Sequence, residues 1–132
     1  MFIARESGGP CESVVNADLS NANLWHAILS FAHLPYVNLS KADLMSANLS
    51  DENLLGVKLS DANLLEAHLA RANLSGADLE NVDLSKANLS RATLNDARLE
   101  RVDLRNAQGL TNSQLKTVKT NEHALLFPDL PP

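Results

Sequence analysis

The stretch ADLSN ANLWH AILSF AHLPY, residues 17–36, shows the pattern that decides the fold of this 132-residue chain. It begins a run of eighteen consecutive five-residue repeats that continues in register to Asn106, with leucine third in every repeat. Two residues before each leucine, alanine occurs thirteen times and valine four times, and Glu52 is the single exception. The other three positions are mostly polar. Each repeat therefore carries two apolar positions, two residues apart.

A period of five residues excludes both a straight helix and a flat strand. An α-helix advances about 100° per residue, so every fifth leucine would point in a different direction. In a flat strand, alternate leucines would face opposite sides of the sheet, because five is odd. Only a chain that turns a corner once per repeat keeps all the leucines inside. Asn, Asp and Ser suit such corners, because their side chains bond to nearby backbone.

The residue after each leucine indicates how many sides one coil has. From Ser20 to Leu65 this position alternates between serine and an apolar residue or proline, a period of ten residues. A four-sided coil places the serines on one opposite pair of sides, whereas a three-sided coil scatters them. The inward residues Val37 and Val57 are also 20 residues apart. The sequence therefore predicts 20 residues and four sides per coil, wound right-handed as parallel β connections almost always are.

Phrases such as Ala42-Asp43-Leu44-Met45-Ser46 resemble the A(D/N)LXX signature of the pentapeptide repeat family. The resemblance implies an all-β solenoid, the right-handed quadrilateral β-helix, here of about four and a half coils. It also implies bacterial relatives, especially cyanobacterial ones, most of which have no established biochemical role. A few residues depart from the signature in the Asp/Asn place: Ile28, Lys58, Thr93 and Arg98.

The regular repeats are flanked by irregular sequence at both ends. In the C-terminal part, Thr111 to Gln114 reads as a helix-starting capping box. We expect a short helix over 112–119 that lies across the last coil, and we expect the apolar tail over 124–130 to cover the rest of that end. The predicted division is an N-terminal lead-in over 1–16, the solenoid over 17–106 and a C-terminal cap over 107–132.

Composition favours one domain with an aliphatic interior, since 45% of the residues are hydrophobic and only 4% are aromatic. Phe2 and Ile3 are the only bulky apolar residues between the first Met and Arg5, so we expect neither a signal peptide nor a membrane span. We expect Phe2, Ile3, Val14 and Val15 to cover the first coil. Cys11 is the single cysteine, which fits a reducing compartment. The expectation is a cytoplasmic protein without membrane contact.

The predicted faces separate the residues that could form a chemical site. His26, His33 and His68 lie on three different sides of the coil, and His123 lies in the tail, which disfavours a shared metal site or a Ser/His/Asp grouping. The five glycines form no phosphate-binding loop. An interior filled with Leu and Ala leaves no cleft for a substrate. We therefore expect a protein that is not an enzyme and holds no cofactor.

Two features of the repeats attract attention. Glu52 occupies an inward position, and because a buried unpaired carboxylate is costly, we expect a local distortion that lets its side chain reach water.

Trp25, Met45 and Leu65 stack on one side of the coil as an apolar patch. Two interpretations of the patch stay open: shielding by the N-terminal segment or the turns, or contact with a partner protein or a second copy. Trp25, Met45 and Leu65 are thus the candidate partner-binding residues, in a monomer or weak homodimer.

The resemblance also implies an alternative role, because some family members bind type II topoisomerases such as gyrase by imitating DNA. A rod of this length, about 22 Å, would match about thirteen phosphate charges of duplex DNA. The repeats hold twelve acidic and eight basic residues, which makes a weak mimic. The negative balance and five aromatic residues also disfavour nucleic-acid binding. The sequence favours a non-catalytic scaffold that presents a surface to an unknown protein partner.

Overall fold

The computed structural model describes residues 15–119 and 123–124, and the repeats within it form a four-sided β-helix. Parallel bridges join residues 20 positions apart, beginning with Asp18 and Asn38 and ending with Asn88 and Gln108. One coil therefore takes 20 residues, and its four five-residue repeats form four sides, as the alternation of serine predicts. Each side contributes a single bridged residue rather than a longer strand in the described part of the chain, except the side that contains His33, which has no bridged residue.

The corners follow from the second residue after each leucine, which has a positive φ in all eighteen repeats. Asn21 has a φ of 59° and Lys41 of 60°. The turn is closed by a hydrogen bond from the Ala22 N–H to the Leu19 carbonyl at 3.1 Å. A positive φ at the third residue of a four-residue turn is the type II arrangement, so the chain bends sharply between two extended sides.

The Asp or Asn before the leucine supports the same corner. The Asp18 carboxylate accepts a hydrogen bond from the Ser20 N–H at 3.0 Å, and Asn48 does the same for the Ser50 N–H at 3.1 Å. This contact two residues along the chain is an Asx turn, which explains why the position prefers those two residue types. Neighbouring coils add side-chain ladders, such as the bond from Asn38 Nδ2 to Asp18 Oδ1 at 3.0 Å.

The interior is a column of leucine surrounded by alanine and valine. All the repeat leucines from Leu24 to Leu104 are buried, with exposed fractions of 2% or less. Burying one leucine side chain contributes about 1.5–3 kcal/mol. The coils are held in register by backbone bonds, such as that from the Leu44 N–H to the Asn63 carbonyl at 2.8 Å. Side-chain burial and backbone pairing therefore depend on the same stacking of coils.

Helix α1 spans Asn112–Leu115 and lies at the C-terminal end of the solenoid. Thr111 is its N-cap, and the reciprocal bonds between Thr111 and Gln114 form a capping box. The Gln114 side chain also donates to the carbonyl of Ala92 at 2.9 Å. The predicted extent of the helix to residue 119 is wrong, because the chain returns to pairing with the solenoid: the Lys119 N–H donates to the Ala97 carbonyl at 2.8 Å.

Two expectations about the ends of the rod fall on residues that lie outside the described ranges. These are the covering of the first coil by Phe2, Ile3 and Val14 and the covering of the last coil by residues 125–130. Val15, which was also expected to cover the first coil, is described and is 45% exposed. Ala124, which begins the predicted tail, is described and is half-buried.

The burial difference between adjacent leucines gives a test of the core. Leu64 is fully buried, whereas Leu65 follows it at the corner and is half-buried. We expect Leu64→Ala to lower the free energy of unfolding by about 2–5 kcal/mol, because it removes buried methyl groups and leaves a cavity. Leu65→Ala is the matched control and should lower the free energy by less than half as much. Equal losses in urea-induced unfolding would contradict the assignment of inward and corner positions.

The exit of the chain from the last regular coil provides a second test. Gly109 and Gly76 have similar φ values of +70° and +65°, so an added side chain is strained at both. A Cβ at Gly109 would lie 2.6 Å from Ser90 Cα, whereas a Cβ at Gly76 would meet nothing within 4 Å. Gly109→Ala should therefore lower the free energy of unfolding by about 1–3 kcal/mol more than Gly76→Ala. Similar thermal unfolding of the two variants would show that Gly109 makes no close approach.

Candidate functional site

Trp25, Met45 and Leu65 lie at the same corner of three successive coils. The His26 N–H donates to the Met45 carbonyl at 3.0 Å, and the Ser46 N–H donates to the Leu65 carbonyl at 2.9 Å, which aligns the three residues. Trp25 is 56% exposed, and Met45 and Leu65 are half-buried. The turns of the solenoid therefore leave Trp25 accessible, and exposure falls along the column towards the C-terminal coils.

Two exposed apolar residues extend this column across one side of the first coil. The repeat over 27–31 begins just after the Trp25 corner, carries Ile28 on its outer face and ends at Phe31, which occupies the next corner. Ile28 is 48% exposed and Phe31 is 69% exposed. The resulting set is called the apolar strip below, and its members are Trp25, Ile28, Phe31, Met45 and Leu65.

The repeat pattern marks Ile28 as unusual, although the predicted patch of Trp25, Met45 and Leu65 did not include it. Ile28 stands where the repeat prefers Asp or Asn, so it cannot form the Asx turn that this position usually makes. An apolar residue at an outward position that lacks this local role marks a surface feature. Phe31 carries a similar signal, because the same corner position in the other repeats holds a polar residue, glycine or, at Tyr36, tyrosine.

The opposite corner is more closed than the Trp25 corner. Pro35 is buried and Leu55 is half-buried. The Tyr36 ring lies against Gly56, where an added Cβ would be 2.6 Å from two ring atoms. Tyr36 itself is 50% exposed, so this corner presents one aromatic ring rather than a continuous apolar column.

The histidines are dispersed as their positions in the repeat predict. His26 lies beside Trp25, with ring centroids 4.3 Å apart, His33 lies on the next-but-one side of the coil, and His68 lies two coils away from the strip's first coil. Within the described ranges, no group of three or more His, Cys, Asp or Glu residues could hold a metal ion.

The outer surface carries an open cleft of about 380 Å³ on the side that contains His68. The expectation of no cleft concerned the leucine-filled interior, and this cleft lies on the surface. The Lys86 ammonium and the Glu66 carboxylate in the cleft are 3.3 Å apart, and the Asn88 side chain accepts from the Ser90 N–H. The cleft is lined by Glu66, Ala67, His68, Lys86, Asn88, Asn106 and Gln108.

Ion pairs reduce the acidity of the rod's surface. Arg71 contacts both carboxylate oxygens of Asp51 at 2.6 Å, and its hydrogen bonds lower the pKa of Asp51. Glu80 and Glu100 stack with like charge, but Arg98 bridges them at 3.7 and 3.0 Å. Each exposed pair contributes only about 0–1 kcal/mol to stability. Their main effect is to neutralise acidic groups that would otherwise form a negative face.

Glu52 is buried, and the expectation that its side chain reaches water is wrong. Only 1% of the residue is exposed. Glu52 Oε1 accepts a hydrogen bond from the Leu34 N–H at 2.7 Å, but Oε2 has no hydrogen-bond partner. Burial raises the pKa of the Glu52 carboxyl, against the smaller opposing effect of the backbone N–H groups of Leu34, Ala32 and His33. The interior therefore holds a carboxyl group among leucines and alanines.

The distortion that Glu52 requires appears in the preceding coil. His33 has a φ of 58°, whereas the positive φ values elsewhere in the repeats fall at corners. The parallel bridge that would join His33 to Asn53 is missing, and so is the bond from the Asn53 N–H to the Ala32 carbonyl. One coil later the bond from the Asn73 N–H to the Glu52 carbonyl is normal, at 2.9 Å. The backbone of the first coil is therefore distorted at His33, and the Glu52 carboxyl group remains buried.

Comparison with known proteins agrees with this geometry. The profile described as pentapeptide repeats matches eight copies, over residues 15–51, 53–91, 72–108 and 83–117. The chain belongs to the pentapeptide repeat family. Its fold is accordingly the right-handed quadrilateral β-helix of that family, whose members are generally non-catalytic. Comparison with curated proteins gives no match.

Two solved structures of pentapeptide repeat proteins are similar to the chain. The protein alr5209 from Nostoc Pcc 7120 is 37% identical, with a TM-score of 0.54, over 80% of this chain and 81% of that one. The protein Rfr23 from the cyanobacterium Cyanothece 51142 is 30% identical, with a TM-score of 0.59, over 71% of this chain. The match spans 63% of the length of Rfr23. Both relatives are cyanobacterial, in line with the resemblance.

Membrane insertion through a helix has no basis in the described ranges. The helical segment found there is α1, and no helix in that part of the chain has the length and apolar character that crossing a bilayer requires.

Restoring the usual alanine at Glu52 tests the burial of the carboxyl. A raised pKa means that the folded protein holds the proton more tightly than the unfolded chain, so stability falls as pH rises through the folded pKa. We expect Glu52→Ala to raise the free energy of unfolding by about 1–3 kcal/mol at neutral pH and by less in acid. Urea denaturation at several pH values measures this difference.

The control is Glu66→Ala, which removes an exposed carboxylate that pairs only with Lys86 among the ion pairs found. Its effect should stay within about 1 kcal/mol, since exposed pairs contribute little. A loss of stability in Glu52→Ala at every pH would mean that the buried carboxyl stabilises the fold.

Proposed function

We propose that the protein is a non-catalytic scaffold that presents the apolar strip to a protein partner. The scaffold consists of about four and a half coils of 20 residues with a short C-terminal helical cap. The observation that carries the proposal is the exposure of Trp25, Ile28 and Phe31, three large apolar side chains on one side of one coil. The remaining strip residues, Met45 and Leu65, extend this surface along the rod.

The choice of a protein partner rests on the chemistry of the strip. Aromatic side chains bury large apolar areas and are enriched at the centres of protein interfaces. Isolated apolar residues on a surface need no explanation, but a contiguous group indicates an interaction site. Corner residues such as Trp25 and Phe31 are held by the hydrogen-bonded coils beneath them, so little backbone ordering is required on binding.

We propose a non-catalytic role because of the residues that line the surface cleft. Glu66 and Lys86 are paired with each other, and Asn88 supports the local turn. A catalytic site needs a nucleophile or base aimed at a reacting atom, with donors placed to stabilise developing charge. Of the cleft residues with the required chemistry, Glu66, Lys86 and Asn88 are occupied by these bonds, and no described side-chain bond joins His68 to any of them.

The alternative role, imitation of DNA in binding a type II topoisomerase such as gyrase, fits the surface less well. Residues 67–106 carry six acidic and six basic side chains. The ion pairs of Arg71 and Arg98 further reduce the negative field that a DNA mimic needs. A supercoiling assay with purified gyrase tests this role directly, and inhibition at stoichiometric concentration would favour it over the scaffold.

We place the scaffold in the cytoplasm, as a monomer or weak homodimer that contacts neither nucleic acid nor a membrane. The single cysteine and the net charge of −5 support this assignment. The self-association part is testable with the double variant Met45→Glu and Leu65→Glu, since added charges at the strip would dissociate a homodimer formed there.

The binding surface can be tested by returning corner residues to serine, the residue found at Ser20, Ser40 and other corners. We expect the triple variant Trp25→Ser, Met45→Ser and Leu65→Ser to fold normally and to lose partner capture at least tenfold, because its anchor side chains are removed. The measurement is quantitative cross-linking and capture from lysate of the source organism.

The control for this experiment is Leu55→Ser, which removes an apolar side chain at the opposite corner. It should capture the same proteins as the unaltered chain. Equal capture by the triple variant and the unaltered chain would show that the strip is not the binding surface.

A further inference from the structure

One set of backbone bonds between coils has an interruption among the described residues. From Asn38 to Gln108, every fifth residue donates its backbone N–H to the carbonyl of the residue 21 positions earlier, and Asn53 is the single exception among these described residues. Its expected acceptor, the Ala32 carbonyl, is thereby left without its ladder donor. The interruption coincides with Glu52, whose side chain enters the interior where the neighbouring coils have Ala32 and Ala72.

The carboxyl group at the interruption is only half satisfied. Glu52 Oε1 accepts from the Leu34 N–H at 2.7 Å, and that N–H is shared with the Asn53 carbonyl at 3.1 Å. Glu52 Oε2 is buried and has no partner. An ionised carboxylate with one unpaired oxygen among leucines is costly. A neutral acid costs less because it carries no charge, although its O–H group at Oε2 is left without an acceptor.

Few charged groups can compensate an ionised Glu52. The titratable side chain that acts on it is His33, which follows the displaced Ala32 and projects to the exposed side. The His33 ring is 3.4 Å from the Asn53 amide, so its orientation is tied to the same interruption. The hydrophobic core of the described chain consists of leucine, alanine and valine, which offer no charge.

We propose that Glu52 is a proton-controlled latch that holds the first coil against the second. As a neutral acid, Glu52 remains inside and anchors residues 32–34 through the Leu34 N–H. Loss of the Oε2 proton to water creates a carboxylate that leaves the interior, and the anchored segment is released. The released segment lies between Phe31 and Tyr36, so the exposed aromatic residues at its two ends change position with it. The latch is independent of which partner the scaffold binds.

The direct test is a pH titration of the ¹³C-labelled glutamate carboxyls by NMR, combined with amide exchange of Leu34. Glu52 should titrate well above its ordinary pKa of 4.5, whereas the exposed Glu66 serves as the internal reference. Once intrinsic base catalysis is corrected, Leu34 exchange should rise about tenfold as Glu52 ionises, because the amide loses its anchor. The amide of Leu74, far from the interruption, should not respond.

Two variants distinguish a proton-controlled latch from a purely structural role of the Glu52 side chain. Glu52→Gln keeps an acceptor for the Leu34 N–H but cannot ionise, so Leu34 exchange should become independent of pH. His33→Asn removes the neighbouring titratable group, and the exchange step should remain. The proposal would be overturned if Glu52 titrated together with Glu66. It would also be overturned if the Leu34 exchange step persisted in Glu52→Gln or disappeared in His33→Asn. If Glu52→Gln does not fold, the NMR titration of the unaltered chain decides.

Discussion

The burial of one leucine in every repeat is the constraint on which the rest of the structure depends. Five residues bring the next leucine inward only if the chain bends between them, so each repeat must contain a left-handed corner. Asp or Asn before the leucine stabilises that corner, as the contact from Asp18 to the Ser20 N–H illustrates. The stacked coils then pair their backbones, as between Leu44 and Asn63. Core packing and hydrogen bonding are thus satisfied by one geometry.

Glu52 shows how the solenoid responds when this rule is broken. The interior accepts a side chain much longer than alanine, and the distortion is passed to His33 in the preceding coil. The missing bonds lie close together, at the ladder bond between Asn53 and Ala32 and the turn bond between Val37 and Leu34, because each coil pairs only with its neighbours. A repeat architecture can therefore hold a titratable group in its core without losing register elsewhere, which makes the first coil chemically different from the others.

The outer surface is free to vary because the fold uses only the inward positions and the corners. The chain places exposed apolar residues, including Trp25, Ile28 and Phe31, on its first coil and ion pairs, such as those of Arg98, towards the last. The two ends of the rod consequently differ in chemistry although their backbones are alike. This difference between the two ends favours a binding surface near the N-terminal coils. The paired charges near the other end are ordinary solvent-exposed ion pairs.

The sequence by itself determined the solenoid, its four sides and its leucine core, because these follow from a strict period that any register shift would destroy. Tertiary structure decided what the period leaves open. The Glu52 side chain could face water or the interior. It faces the interior because the backbone of the adjacent coil adopts a positive φ at His33. The end of α1 at Leu115 was likewise set by a neighbouring coil, through the bond from the Lys119 N–H to the Ala97 carbonyl, since contacts between residues distant in sequence leave no trace in a local pattern.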